Sequence, residues 1–238
     1  MRKFFILPFL LLLSITLLFT IDQIATKGDF KESDMDNNST TRISLTNPRF
    51  TGEISLEKSI SQRRSVRSYS GESVSFDEVS QILWAAQGIT DDTNELRAAP
   101  SAGALYPLST YVAVSNVENI TPGVYRYSPK DHEIQLVRRG DVNKEIYENA
   151  LMQPATVESA LIVIFAADYG ITKARYGGRA ERYVHMEAGH AGQNLYLQAE
   201  TLGLGTVAIG AFDDKGIAKA TGIIEGETPL YLFPVGNK

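Results

Sequence analysis

The stretch GVYRYSPKDHEIQLVRR, residues 123–139, decides the fold class. Two arms of alternating apolar and polar residues flank Pro129-Lys130-Asp131, which is turn chemistry between segments of period two. That pattern predicts a β-hairpin, whose strands are antiparallel neighbours. Before it, STYVAVSN at 109–116 reads as a strand. After it, Asp141 to Met152 reads as a helix closed by Pro154, and ALIVIFAA at 160–167 as a buried strand by its unbroken apolar run. Helices and strands that intermix around a hairpin predict an α+β fold with a mixed central sheet flanked by helices, not a doubly wound parallel one.

The remaining segments agree. Residues 54–62 suggest a short helix with Leu56 and Ile60 on one face. In VSFDEVSQILWAAQG, Ser75 and Glu78 form a capping box, Val74 and Val79 can staple, and Gly88 stands at the C-terminal cap. A long helix is predicted from about 180 to 202, with Val184, Ala188, Ala191, Leu195 and Leu202 on its apolar stripe. Strand TVAIGAF, a short helix opened by Asp213 and a last strand PLYLFPV complete the chain.

A chain of 238 residues with 43% hydrophobic content can bury one real core. Its net charge of −5 argues against nucleic acid as the main partner. The absence of cysteine removes disulfides, iron–sulfur clusters, thiolate zinc and cysteine nucleophiles together. After Met1-Arg2-Lys3, residues 4–21 carry no charge, and as a helix they would be about 27 Å long. Residues 1–21 therefore read as an N-terminal membrane anchor or a cleaved secretory signal, and the basic start predicts an extracytoplasmic domain, secreted if the segment is cleaved. Residues 22–50 are polar and aperiodic and read as a linker, leaving 51–238 as the folded domain.

Neither a dinucleotide fingerprint nor a P-loop is present. Glu187-x-x-His190 matches half of a di-metal carboxylate site, but no second copy exists, so no metal is expected and the pair reads as a polar helix face. Gly189 and Gly192 inside the long helix call for close approach by another helix or a flat ligand. QRRSVRSYS at 62–70 crowds Arg63, Arg64 and Arg67 around two serines in an acidic chain. It is either a solvated basic turn or an anion grip, because guanidinium forks match phosphate bidentately and a serine hydroxyl adds a donor. In RAAPSAGALYPLSTYV at 97–112, small residues let backbone lie flat against a planar ligand. GLGTVAIGAFDD at 203–214 offers backbone N–H groups of the kind that suit a flavin N5.

Taken in order, RRSVRSYS, APSAGALYPLSTYVAV, RYGGRAERYVHMEAGHAGQNLYLQAETLGLGTVAIGAF and LYLFPVG resemble the nitroreductase family, and within it the SagB/ThcOx-type dehydrogenases. The resemblance implies an FMN-binding homodimer with sites at the subunit interface. Arg63, Arg64 and Ser65 would take the phosphate and ribityl end, and Arg67 the electron-rich edge of the ring. Pro100, Ser101, Ala102 and Gly103 would line the ring, with Leu105 and Tyr106 reaching into the partner's site. Ala208, Ile209, Gly210 and Ala211 would lie near N5. Arg175 and Tyr176 stand where azoline-oxidising members carry Lys-Tyr, and are the catalytic candidates. An arginine stays protonated and is a poor general base. The implied activity is hydride transfer to or from a small organic substrate; the alternatives are azole formation in a modified peptide, or flavin binding without turnover. NADH or NADPH is the candidate electron donor, or a quinone pool for an exported domain. Lys238 is the one residue left to supply the family's C-terminal phosphate contact.

Overall fold

The structure is a computed structural model that describes residues 41–238. Its frame is a seven-stranded sheet in the order β1-β6-β5-β4-β7-β9-β8. These strands are β1 (Arg42–Ser44), β4 (Leu108–Val114), β5 (Gly123–Ser128), β6 (Glu133–Arg139), β7 (Leu161–Ala167), β8 (Leu204–Thr206) and β9 (Thr228–Asn237). β2 (Ile89–Asp91) and β3 (Leu96–Arg97) make a separate hairpin. The helices are α1 (Leu56–Gln62), α2 (Phe76–Gln87), α3 (Asn143–Asn149), α4 (Ala155–Glu158), α5 (Tyr169–Tyr176), α6 (Ala180–Thr201) and α7 (Asp214–Thr221), with a 3₁₀ turn at Ala102–Ala104.

The hairpin forms as predicted, with Ser128 opposite Glu133 at its closed end. Every strand pair of the seven-stranded sheet is antiparallel rather than mixed. The parallel contacts are two isolated bridges, Ser65 with Thr206 and Val74 with Val117. β7 explains its unbroken apolar run: Val163 and Phe165 face the α2 and α6 layer, while Ile162 and Ile164 face the α3 and α7 layer. Both faces are covered, so no position can be polar.

Local signals act as expected at α2. Ser75 Oγ accepts from Glu78 N–H at 3.3 Å, Glu78 Oε2 accepts from Ser75 N–H at 2.8 Å, and Val74 and Val79 are fully buried. Elsewhere tertiary contacts override the pattern. The helix expected over 141–152 is Asn143–Asn149, and Pro154 opens α4 instead of closing α3. Leu56 and Ile60 of α1 are exposed, and Ser59 is its buried residue. Residues 42–44, inside the expected linker, add strand β1 to the sheet edge beside β6.

The expected membrane segment, 4–21, lies outside the described residues. Among the described residues no helix is long and apolar enough to cross a membrane. That finding overturns the placement of the domain as membrane-anchored and extracytoplasmic, or as secreted.

Candidate functional site

The arginine segment follows α1. Arg63 caps the helix, and the chain then runs extended beside β8, with Val66 N–H donating to Thr206 O at 2.9 Å. Gly205 permits this approach, since a Cβ there would stand 2.7 Å from Val66 Cγ1. Tyr69 OH donates to Val66 O and Pro234 O at 3.1 and 3.0 Å, locking the segment against β9.

Tyr196 of α6 gathers what the sequence scattered. Its hydroxyl accepts from Ala208 N–H at 2.7 Å and shares a hydrogen bond with Ser65 Oγ at 3.1 Å. The Arg63 guanidinium lies 5.1 Å from the centre of its ring. Arg64 turns back to donate to Ser61 O and Arg63 O. Among the described residues none of Arg63, Arg64 and Arg67 pairs with a carboxylate. Lys238, expected to help with phosphate, is paired with Glu200 at 2.7 Å.

The 208–211 segment departs from the predicted strand. β8 ends at Thr206, and Ile209 alone rejoins the sheet through a two-way bond with Leu232, at 2.9 and 3.0 Å. The Tyr196 hydroxyl claims the intervening N–H of Ala208 and breaks the ladder. Ile209 is buried, while Gly210 and Ala211 are exposed and their N–H groups are open among the described residues. Ala211 O accepts from Gln153 Nε2 at 3.0 Å.

The second group forms around the loop after β3. Gly103 has φ 65°, and a Cβ there would stand 2.7 Å from Tyr176 OH and 2.8 Å from Arg175 Nη1. Arg175 donates to Gly103 O at 3.4 Å and lies 5.5 Å from the Tyr176 ring centre. Tyr176 in turn meets Tyr183 of α6 edge to face at 5.1 Å. Pro100 is exposed, Ala102 half-buried, and Ser101 Oγ donates to Glu187 Oε2.

Glu187 is a functional candidate that the sequence reading set aside. It is not on a polar face but 2% exposed, whereas His190 is exposed. Burial pushes its carboxyl up to about 7, with the Ser101 hydrogen bond and the Arg97 charge acting the other way. The guanidinium of Arg97, depressed by its own burial, donates to Gln87 Oε1 at 2.9 Å and stacks 4.6 Å from the Tyr106 ring centre.

Both groups hang on α6, yet they do not meet. Glu187 and Tyr196 are nine residues apart, about 13 Å along the axis and about half a turn round it. The arginine and 208–211 group therefore lies on one side of the helix, and the 101–103, Arg175 and Tyr176 group on the other. Of the two mid-helix glycines, Gly192 faces Phe233, whose Cζ would be 2.6 Å from an added Cβ, and Gly189 opens onto free space. A groove of about 640 Å³ runs beside α6 between α1 and α2, lined by Phe50, Leu56, Trp84, Leu197 and Leu202 among others.

The sequence matches the model of the nitroreductase family over residues 60–237. A curated protein of Methanocaldococcus jannaschii, provisionally named a nitroreductase, is 45% identical over 186 residues, covering 78% of this chain and 92% of that protein. A solved Anabaena variabilis structure with the same provisional name superposes with a TM-score of 0.74 at 33% identity. That match covers 83% of this chain but only 42% of the Anabaena chain. The fold also resembles a chain of the E. coli microcin synthetase McbBCD complex with truncated pro-MccB17 bound. There the TM-score is 0.64 at 21% identity, over 100% of this chain and 85% of that one, a likeness of fold alone.

Proposed function

The chain belongs to the nitroreductase family of oxidoreductases, and from that premise we propose that it is an FMN-dependent enzyme of the SagB/ThcOx type, passing hydride to or from a small organic substrate. One observation carries the reading. Three guanidinium groups stand within five residues of a chain of net charge −5, and none has a carboxylate partner among the described residues. Positive charge without a carboxylate partner, held on a fixed backbone, favours an anion there. The donor set, guanidinium and hydroxyl at alternate positions with open N–H groups at Gly210 and Ala211, fits a flavin phosphate and ring.

Bound there, FMN would supply a ring whose N5 takes up and returns hydride. Arg63 and Ser65 would hold the phosphate end with Arg64 beside them, and Arg67 would supply the cation for the ring's electron-rich edge. The backbone of 100–103 would lie against the ring, and 208–211 along its other side. Arg175 is fixed positive and would orient or stabilise an anionic substrate group, with the Tyr176 hydroxyl as the adjacent proton donor.

The same geometry supports the proposal of a homodimer. The two groups of site residues lie on opposite sides of α6, and a second copy would bring one group to the other. The groove beside α6, lined by both apolar and polar side chains, is the proposed surface for that copy. NADH or NADPH is the proposed donor. A second reading, azole formation in a modified peptide, draws on the fold shared with the microcin synthetase chain. Arg175 argues against it, because a guanidinium cannot take up a proton.

The test is a visible spectrum of the purified full chain before and after FMN is added, then anaerobic NADH or NADPH. The expected result is a bound yellow flavin that bleaches with one of the two donors. A protein that stays colourless after FMN addition refutes the flavin site, and a flavin that neither donor bleaches refutes the nicotinamide assignment.

A further inference from the structure

Glu187 has no task in the proposed chemistry, yet its carboxylate is buried at some cost. Oε2 accepts the Ser101 hydroxyl hydrogen, and Oε1 is buried with no partner. A buried acceptor left open is destabilising, so its contacts should account for its presence. Two groups act on it, Ser101 of the loop and Arg97 of β3. Arg97 from β3 is the charged one, held by Gln87 of α2 and stacked on Tyr106 of the loop. Tyr127 of β5 acts on Arg97 in turn.

Ser101 is the knot of the loop that carries Gly103. Its carbonyl accepts from Ala104 N–H at 3.1 Å, and its Oγ accepts from Tyr106 N–H at 2.9 Å while donating to Glu187. Between these ties the chain passes through three left-handed residues: Gly103 at φ 65°, Ala104 at φ 52° and Tyr106 at φ 50°. Two of them carry a Cβ that disfavours this conformation, which persists only where the surroundings over-determine it. An acceptor at Glu187 compels the Ser101 hydroxyl to donate inward, and that leaves its lone pair for Tyr106 N–H.

We propose that Glu187 is the positioning residue of the 101–106 loop: by accepting from Ser101 it fixes the path of the backbone that seats Arg175 and Tyr176. The effect on flavin binding rests on the function proposed above, whereas the hold on the loop does not. The carboxyl's elevated titration adds a direction. Opening the loop returns Glu187 to water and its ordinary acidity, so the protonated form favours the closed loop. The closed loop is therefore most secure near pH 5 and loosens as pH rises to about 7, where the buried carboxyl titrates.

Hydrogen exchange at the Tyr106 amide of the full chain, corrected for intrinsic rate, tests this at pH 5 and pH 7. In wild type its protection should fall at least tenfold between the two. Glu187→Gln, a neutral isostere that still accepts from Ser101, should keep the protection and lose the pH dependence. Glu187→Leu and Ser101→Ala should lose the protection at both pH values. Wild-type protection that is equal at both pH values, or intact protection in Ser101→Ala, overturns the proposal even where Glu187→Leu fails to fold. FMN is titrated into the same wild-type and Ser101→Ala samples. No binding to wild type removes the flavin reading and leaves the exchange result standing, while a fivefold or greater weakening in Ser101→Ala ties the loop to the cofactor.

Discussion

Replacing Tyr196 by Phe removes one oxygen and should loosen two segments at once. The hydroxyl takes the Ala208 N–H at 2.7 Å and shares a bond with Ser65 Oγ at 3.1 Å. Ala208 is half-buried, so its N–H loses a partner that water replaces poorly, at about 1–2 kcal/mol. Ser65 is exposed, and water can replace its bond at little cost. For a domain of this size about 1–2 kcal/mol lowers Tm by about 2–8 °C. Differential scanning calorimetry reads that shift, and an FMN titration reads the second consequence, since the arginine segment and residues 208–211 would no longer be tied together. Ser65→Ala alone should scarcely move Tm, and the double variant should melt close to Tyr196→Phe. Tyr196→Leu should lose up to about 1 kcal/mol more, because it also removes the ring beneath Arg63. A Tyr196→Phe protein that melts within about 1 °C of wild type and binds FMN equally well would refute the idea that this side chain joins the two segments.

Three further outcomes follow from the geometry. Glu187 holds its proton more tightly folded than unfolded, rising from 4.5 to about 7. Its contribution to stability is therefore complete below pH 4.5 and declines as pH rises through about 7, by up to about 3 kcal/mol, and urea unfolding at pH 5 and 7.5 should show that loss in wild type and not in Glu187→Gln. Gly103→Ala places a methyl group against Tyr176 OH and Arg175 Nη1 at φ 65°. It should cost about 1 kcal/mol in stability yet lower kcat/KM by about tenfold or more, because the flexible ends of those two side chains must move. Gly192→Ala drives a Cβ to 2.6 Å from the Phe233 ring, which is hemmed in by Phe165, Tyr196 and Tyr231, so denaturant unfolding should register a loss of about 1–3 kcal/mol.

What was legible in the sequence was local. The Ser75–Glu78 box spans three residues and the hairpin turn a few more, so their partners lie within reach of any reading of the chain. The four blocks that resemble the nitroreductase family are each weak alone and become specific only through their order along the chain. The burial of Glu187 was not visible, since its partner Ser101 is 86 residues away and its neighbour His190 is polar and exposed. Spacing alone made the pair look like a wetted helix face. The shortening of the strand after Gly203 was hidden for the same reason, because a tyrosine hydroxyl from a neighbouring helix competes for one rung of its ladder. Leu56 and Ile60 matched a buried helical stripe and lie outside this chain's core. Periodicity reports that a face is apolar and does not say which molecule covers it.

The arrangement around α6 sets a condition on anything this protein does as an enzyme. On the proposed assignment, with residues 63–67 holding the cofactor and Arg175 and Tyr176 facing the substrate on the other side of α6, a lone polypeptide would not close a complete centre by itself. Two crippled forms, Arg63→Ala and Gly103→Ala, should each be weak alone and regain turnover when refolded together, since each mixed pair rebuilds one intact centre from undamaged halves. Activity should also fade on dilution before the fold does. On that proposal α6, the longest helix among the described residues, acts as a spacer, and turnover belongs to the pair.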